Sequence, residues 1–340
     1  MRDILTRRLD ALPAPDPALM AEARAAAQTG RAEDHARFLA RVEALHALEQ
    51  APPQRALNAR ERITVAAFNA ERLKRPAAAR ALLDRIGAGA ALLSEIDAGM
   101  ARSANRHGAR ALAEAAGWGY VFGVEFVELD LGDAREIAEH AGEANALGFH
   151  GNAILSPLAL VDPHLIPLDE SGLWFRGRAG AQHRIGGRMA VMARVADAPK
   201  PLWLVAVHLE SKTDPADRAA QMARLCAGIE RVAPGAACVI GGDLNTKALP
   251  SEEGSWFEEL AAHEPLFAHA ARAGFDWRAA NTPAPTQRTG PAGKPHPPFR
   301  KLDWLLTRGV HAENPRVCAA LDGEGRAISD HEMLAADIVF

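Results

Sequence analysis

The chain has 340 residues, 48% of them apolar and 24% charged, a profile that excludes a disordered or fibrous protein. Its net charge of −4 gives no global basic field, so a nucleic-acid partner would need a local patch of Lys and Arg. Three cysteines, Cys226, Cys238 and Cys318, form no close pair; this argues against a disulfide framework or a thiolate zinc site and leaves small buried hydrophobes.

The N-terminal stretch MRDILTRRLDALPAPDPALM is broken by charges and prolines before any apolar run long enough for a signal peptide or a membrane span. A cytoplasmic protein without integral membrane association is expected. Residues 1–60 read as a helical N-terminal extension, with Phe38, Leu39, Val42, Leu45 and Leu48 at helical spacing. The extension ends in a linker, QAPPQRALNARER, carries no chemical motif and reads as a packing or oligomerisation element.

Residues 61–340 form the expected catalytic domain. Short apolar runs predict strands at 63–69, 90–96, 119–127, 151–156, 188–195, 202–209, 237–244, 302–307 and 333–340. Helices are predicted at 76–88, 101–117 and 214–233, the last with Asp214 as cap and Pro215 in its first turn. Many strands under a few helices give a layered α/β sandwich. Residues 128–150 and 277–301, rich in Gly, Pro and charge, read as long loops at the rim of a site.

Polar residues gather at the strand ends: Asn69 and Glu71, Glu95 and Asp97, His208, Asp243 and Asn245, Asp303, then Asp330 and His331. Such groups at the edge of an apolar sheet are costly unless they are paired or hold a cation. Asn69, Glu71, Glu95, Asp330 and Asp243 offer hard oxygen donors, which favour Mg²⁺, with Mn²⁺ or Ca²⁺ as alternatives. Mg²⁺ keeps positions open for phosphate oxygens, so a phosphate ester is the natural substrate.

The segments FNAER, LLSEID, HGNAILS, VAVHLES, GGDLNT, PTQR…KLDWLL and ISDHEML, in this order, resemble the endonuclease/exonuclease/phosphatase (deoxyribonuclease I-like) superfamily. The resemblance implies a four-layer α/β/β/α sandwich with its site at one edge, and metal-dependent hydrolysis of phosphate esters. It makes Glu95 the main metal ligand, assisted by Asn69 and Glu71, with Asp330 on the metal side. Glu71 departs from the Asp of several members. His331 would be oriented by Asp303, Asp243 would hold the attacking water, and Asn245 and His208 would donate to phosphoryl oxygens. Either Asp243 or the His331–Asp303 pair takes the proton.

Asn152 binds phosphate or fixes a turn, and Arg184 and Arg188 face a substrate phosphate or lie in a solvated loop. Asp97 reads as a helix cap, Ser329 as a tight-turn residue, and His107, His140, His150 and His183 as surface or structural groups. A nuclease-type phosphodiesterase leads, although Lys and Arg are spread along the chain. Action on a lipid or small phosphate ester is the alternative, with the 277–301 loop and Trp277, Phe299 and Trp304 available for docking. A non-catalytic scaffold is the third reading, disfavoured by the complete polar set.

Overall fold

A computed structural model describes the chain except residues 1, 59, 60, 178, 179, 181, 197, 251–254 and 290–293. Two β-sheets stack face to face. Among the described residues the larger has nine strands. Eight run edge to edge as Arg8–Leu9, Leu48–Ala51, Gly119–Glu128, Phe149–Ser156, Ala90–Ala98, Arg62–Arg72, Met333–Val339 and His311–Cys318, and Arg184–Gly186 pairs with Gly119–Glu128. The smaller sheet has five, in the order Asp303–Arg308, Ala237–Asp243, Leu202–His208, Met189–Val195 and Leu160–Pro167.

The period-two alternation of strand side chains divides the apolar residues between two faces. Along Arg62–Arg72, Val65 and Ala67 join Leu92, Val191, Leu204 and Val239 in the core between the sheets. Phe68, with Leu93 and Phe122, turns outward against Leu82 and Leu83 of helix Pro76–Arg85 and Leu112 of helix Gly108–Ala116. On the far side, helix Pro215–Val232 buries Met222, Leu225 and Ile229 against Val205, Val207 and Ile240. Its cap is Asp214, which accepts the Asp217 N–H at 2.9 Å. The result is the expected four-layer α/β/β/α sandwich.

The sequence reading left out Leu160–Pro167 and His311–Cys318. Both are edge strands carrying prolines and polar residues, which an edge tolerates and which break the apolar run used to recognise a strand. Residues 1–60 do form helices, Pro17–Ala27 and Ala32–Arg41, but they also supply the two strands Arg8–Leu9 and Leu48–Ala51. Leu48 pairs with Gly123, so this segment extends the larger sheet, and Gln50 and Ala51 of the expected linker are strand residues. The boundary expected at residue 60 lies outside the described residues.

The two polar stretches are not plain loops. The first carries helix Ala134–Glu139, closed by a capping box between Asp133 and Glu136. The second contains a hairpin of Gln287–Thr289 with Pro295–Arg300. Trp277 and Trp304 belong to the core under helix Pro215–Val232, which removes them from any lipid-docking role. Among the described residues no helix is long and apolar enough to cross a membrane.

Lys301 is 1% exposed, its Nζ has no hydrogen-bond partner among the described residues, and it lies 4.5 Å from the centre of the Trp304 ring. Burial pushes its ammonium down to about 7, with Asp303 pulling the other way. Below that pH both folded and unfolded chains hold the proton, and the burial cost is fully present. Between 7 and the ordinary 10.5 only the unfolded chain binds it, so stability rises with pH. Lys301→Met should therefore stabilise the fold by a few kcal/mol at about pH 6 and by much less near pH 10. Urea unfolding at the two pH values reads the difference; an equal gain at both would refute this account.

Candidate active site

Three of the candidate side chains stand in one cross-strand row at the end of the smaller sheet: His208 is the partner of Asp243, and Asp243 of Asp303. His331, delivered by the turn before the last strand, places Nδ1 2.7 Å from Asp303 Oδ2 and Nε2 3.8 Å from Asp243 Oδ2. His208 Nε2 lies 3.4 Å from the same Asp243 oxygen. The other Asp243 oxygen accepts the Asn245 N–H at 2.8 Å. Asn245 Nδ2 donates to the Leu209 carbonyl at 2.9 Å, which leaves one of its two amide hydrogens for a ligand.

The larger sheet contributes through two irregularities at the same level, between Asn69 and Arg72 and between Leu93 and Ile96. Such bulges re-aim side chains. Glu71, Arg72, Leu73 and Glu95 have φ of 43°, 66°, 50° and 54°, and Asn245 has 50°. These are five of the ten non-glycine residues with positive φ among those described, so backbone strain concentrates at the cleft. Asn69 Nδ2 donates to Glu95 Oε1 at 3.2 Å and to Asp243 Oδ2 at 3.1 Å, tying the two sheets' carboxylates together. Ser329 Oγ donates to the Asn69 carbonyl at 2.7 Å and accepts the His331 N–H at 3.0 Å, which makes the expected turn.

Electrostatics separates the two histidines. Burial alone would lower both, and for His208 it prevails with help from Arg188, down to about 3. For His331 burial is outweighed by Asp303, Asp330 and Asp243, which hold the imidazole well above its ordinary value. The neutral form is thus favoured at His208 and the charged form at His331. Burial also opposes ionisation of Glu95, but Arg72 and the nearby histidines win and its carboxyl lies well below the usual range.

Arg72, which the sequence reading missed, starts a chain of interior ion pairs. It bonds Glu95 Oε2 at 2.8 Å and Glu136 Oε1 at 3.0 Å. Glu136 meets Arg102 at 2.9 Å, and Arg102 clasps Asp97 through two bonds of 2.8 and 2.9 Å and reaches Glu128 at 3.1 Å. Arg72 was visible in FNAER, but its partner Glu136 lies on a helix that the polar stretch concealed. Asp97 is thus a buried ion-pair partner and not a helix cap. His150 is structural as expected, 2.8 Å from Asp97.

Arg184 and Arg188 are buried, so neither lies in a solvated loop. Arg184 sits 2.7 Å from Glu128, and Arg188 is 2.9 Å from Glu210 and 3.2 Å from Glu125; carboxylates inside the protein occupy them in place of a free phosphate. Asn152 lies within strand Phe149–Ser156 and donates to the Met189 carbonyl at 3.0 Å, so it fixes no turn.

Glu71 and Asp330 show whether the cleft suits a cation. Burial raises both carboxyls; Asp330 and Glu95 add to this at Glu71, and Glu95 and Asp243 add to it at Asp330, while Lys74 and Arg72 offset only part of it at Glu71 and His331 and Arg72 only part at Asp330. Crowded carboxylates with too little protein charge nearby fit a hard divalent ion. Asn69 in this arrangement presents its nitrogen to the carboxylates, and its Oδ1 accepts the Glu71 N–H at 3.2 Å. Beside this set, Asp243, Asp303 and His331 offer ligand atoms within 4.8 Å of one another. Asp303 Oδ1 is buried without a hydrogen-bond partner among the described residues.

An α/β/β/α sandwich with an Asp–His pair facing a carboxylate cluster across the sheet ends defines a deoxyribonuclease I-like hydrolase fold. The chain belongs to the Endonuclease/Exonuclease/phosphatase family, which it matches over residues 58–331. Members of this superfamily are generally phosphoester hydrolases. Similar solved structures include an endonuclease/exonuclease/phosphatase from Beutenbergia cavernae DSM 12333, at 18% identity and TM-score 0.58, covering 83% of this chain and 72% of that one. The human Nocturnin catalytic domain with bound sulfate anion is 17% identical, with TM-score 0.55, covering 85% of this chain and 100% of that one. A humanized D. rerio TDP2 is 13% identical, with TM-score 0.51, covering 83% and 100%. A comparison with curated proteins finds no match.

Proposed function

We propose that the protein is a divalent-metal-dependent phosphodiesterase of nuclease type that works by in-line attack of water. The observation that supports this most is the register-aligned row of His208, Asp243 and Asp303, with His331 closing on two of its members. Glu95, Glu71 and Asp330, with Asn69, would hold Mg²⁺, or Mn²⁺ or Ca²⁺, which when bound supplies positive charge to the phosphate oxygens.

Asp243 orients the attacking water and takes its proton, since Asp303 keeps His331 in the charged form and unable to act as base. His331 donates a hydrogen bond where negative charge grows on the phosphorus oxygens or the leaving oxygen. The remaining Asn245 amide hydrogen and the neutral His208 complete the donors. Burial of Trp277 and Trp304 withdraws two of the three aromatics of the expected docking loop and leaves only the half-buried Phe299, which favours a water-soluble phosphodiester over the lipid alternative. Residues 61–340 are the catalytic unit of this reading. The free thiols Cys226, Cys238 and Cys318 agree with a cytoplasmic location.

Hydrolysis of bis(p-nitrophenyl) phosphate, single-stranded RNA, supercoiled plasmid, sphingomyelin and phosphoinositide is the test. Turnover of the diester and of at least one nucleic acid with Mg²⁺, abolished by EDTA, is the expected result. Activity untouched by EDTA would overturn the metal assignment, and hydrolysis confined to sphingomyelin or phosphoinositide would overturn the nuclease assignment.

A further inference from the structure

The arginines inside the cleft are engaged with carboxylates: Arg72 with Glu95 and Glu136, Arg188 with Glu210 and Glu125, Arg184 with Glu128. Substrate charge must then be met from elsewhere. Residues 277–302 contain five Lys and Arg and no Asp or Glu, within a chain of net charge −4. This segment forms the hairpin Gln287–Thr289 with Pro295–Arg300, and the hairpin is anchored on the catalytic turn. Gln287 bridges to His331, with Nε2 3.4 Å from His331 Nε2, and the Glu332 N–H donates to the Thr286 carbonyl at 2.7 Å.

Arg300 is the cross-strand partner of Gln287. Directly opposed residues of an antiparallel pair project to the same face, so Arg300 shares the face that Gln287 turns toward His331. Lys247 follows closely on Asn245, and its Nζ donates to the Ser211 carbonyl at 3.2 Å, next to Lys212. Lys247 stays open to solvent. The preceding Thr246 Oγ1 donates to the Lys301 carbonyl at 2.6 Å, which sets Lys247 beside the segment that carries Arg300. Crowding by the cleft wall, with Lys212, Arg300 and Arg188, still holds the Lys247 ammonium below the ordinary lysine value against the pull of Asp243. Among the described residues none of Lys212, Lys247 and Arg300 has a carboxylate at ion-pair distance. Like charges gathered beside a catalytic carboxylate without counterions are relieved by an incoming anion.

Resting on the phosphodiesterase reading, we propose that Lys212, Lys247 and Arg300 form a second phosphate subsite on the Asp243 side of the cleft. It takes a phosphate next to the scissile one, carried by a nucleic-acid strand or by a small nucleotide diester, whose two phosphates adenosine 3′,5′-bisphosphate mimics. Neutral Gln at all three positions keeps a donor for the Ser211 carbonyl and removes the charge.

The test is fluorescence anisotropy of a labelled thymidine dodecamer in EDTA, run beside hydrolysis of bis(p-nitrophenyl) phosphate, which lacks a second phosphate. The wild type should bind the strand with affinity that falls as salt rises. The triple variant K212Q/K247Q/R300Q should bind roughly tenfold or more weakly, with a shallower salt dependence and diester turnover within about twofold of wild type. Displacement of the strand by low concentrations of adenosine 3′,5′-bisphosphate assigns the small-molecule source; resistance to it assigns the strand. No strand binding by the wild type, or equal binding by the triple variant, overturns the subsite, and diester turnover would then leave the phosphodiesterase reading intact. Charge-dependent binding without diester turnover would instead sink that reading and leave the subsite standing.

Discussion

Replacing His331 by Ala is expected to lower kcat for phosphodiester hydrolysis by about a thousandfold while the protein remains folded. The imidazole is the group that links Asp303 to Asp243, and its loss removes a charged donor from the place where the transition state gains negative charge. The companion variant Asp303→Asn tests how the charge is held. His331 opposes burial through Asp303 first, then Asp330 and Asp243, so its pKa lies above the ordinary 6.5. A raised pKa means that the imidazolium, and the stability of the pair, are fully present below 6.5 and are lost as pH rises through the folded value. Activity that needs this proton should show an alkaline limb, and Asp303→Asn should move the limb to lower pH. A pH–rate profile in saturating Mg²⁺ decides the matter: a limb that stays in place in the variant means that His331 does not act as the charged donor.

Arg102→Leu is expected to cost about 3–5 kcal/mol of stability, because it takes a shared guanidinium from three buried carboxylates and leaves Asp97 with only His150 and Ser103 among the described residues. The guanidinium side chain has no solvent exposure, and among the described residues it is the one group that joins Asp97, Glu128 and Glu136. Glu136 then steadies Arg72, which steadies Glu95, so the variant should also lose affinity for Mg²⁺. Urea unfolding measures the first effect and Mg²⁺ titration of activity the second. A loss below about 1 kcal/mol would mean that the carboxylates take up protons or water freely, and that the chain of ion pairs does not hold the metal side in place.

Local sequence was enough to recover the sheets' inner strands other than Leu48–Ala51, and the helix Pro215–Val232, because apolar runs and a capped, one-sided helix leave their pattern in neighbouring residues. Edge strands such as His311–Cys318, half open to water, leave no such pattern. The polar ends of the strands also announced themselves: Asn69, Glu95, His208, Asp243, Asp303 and His331 each follow or begin an apolar run. The structure brings their side chains to one cleft, although their roles rest on the experiments above.

What sequence by itself determined was the kind of fold and the residue types available for chemistry, since both depend on periodicity and on charges placed where an apolar strand ends. Only tertiary structure decided which charges remain free. Arg184 and Arg188 could be read as facing a substrate phosphate or as lying in a solvated loop, and the structure sets Glu128, Glu125 and Glu210 against them; Arg72 acquired its role through Glu136, sixty-four residues away. Lys212, Lys247 and Arg300 were unremarkable in three separate segments. A charge acts through its neighbours in space, and the strand register that chooses those neighbours is set by burial of the whole sheet, which no short stretch of sequence contains.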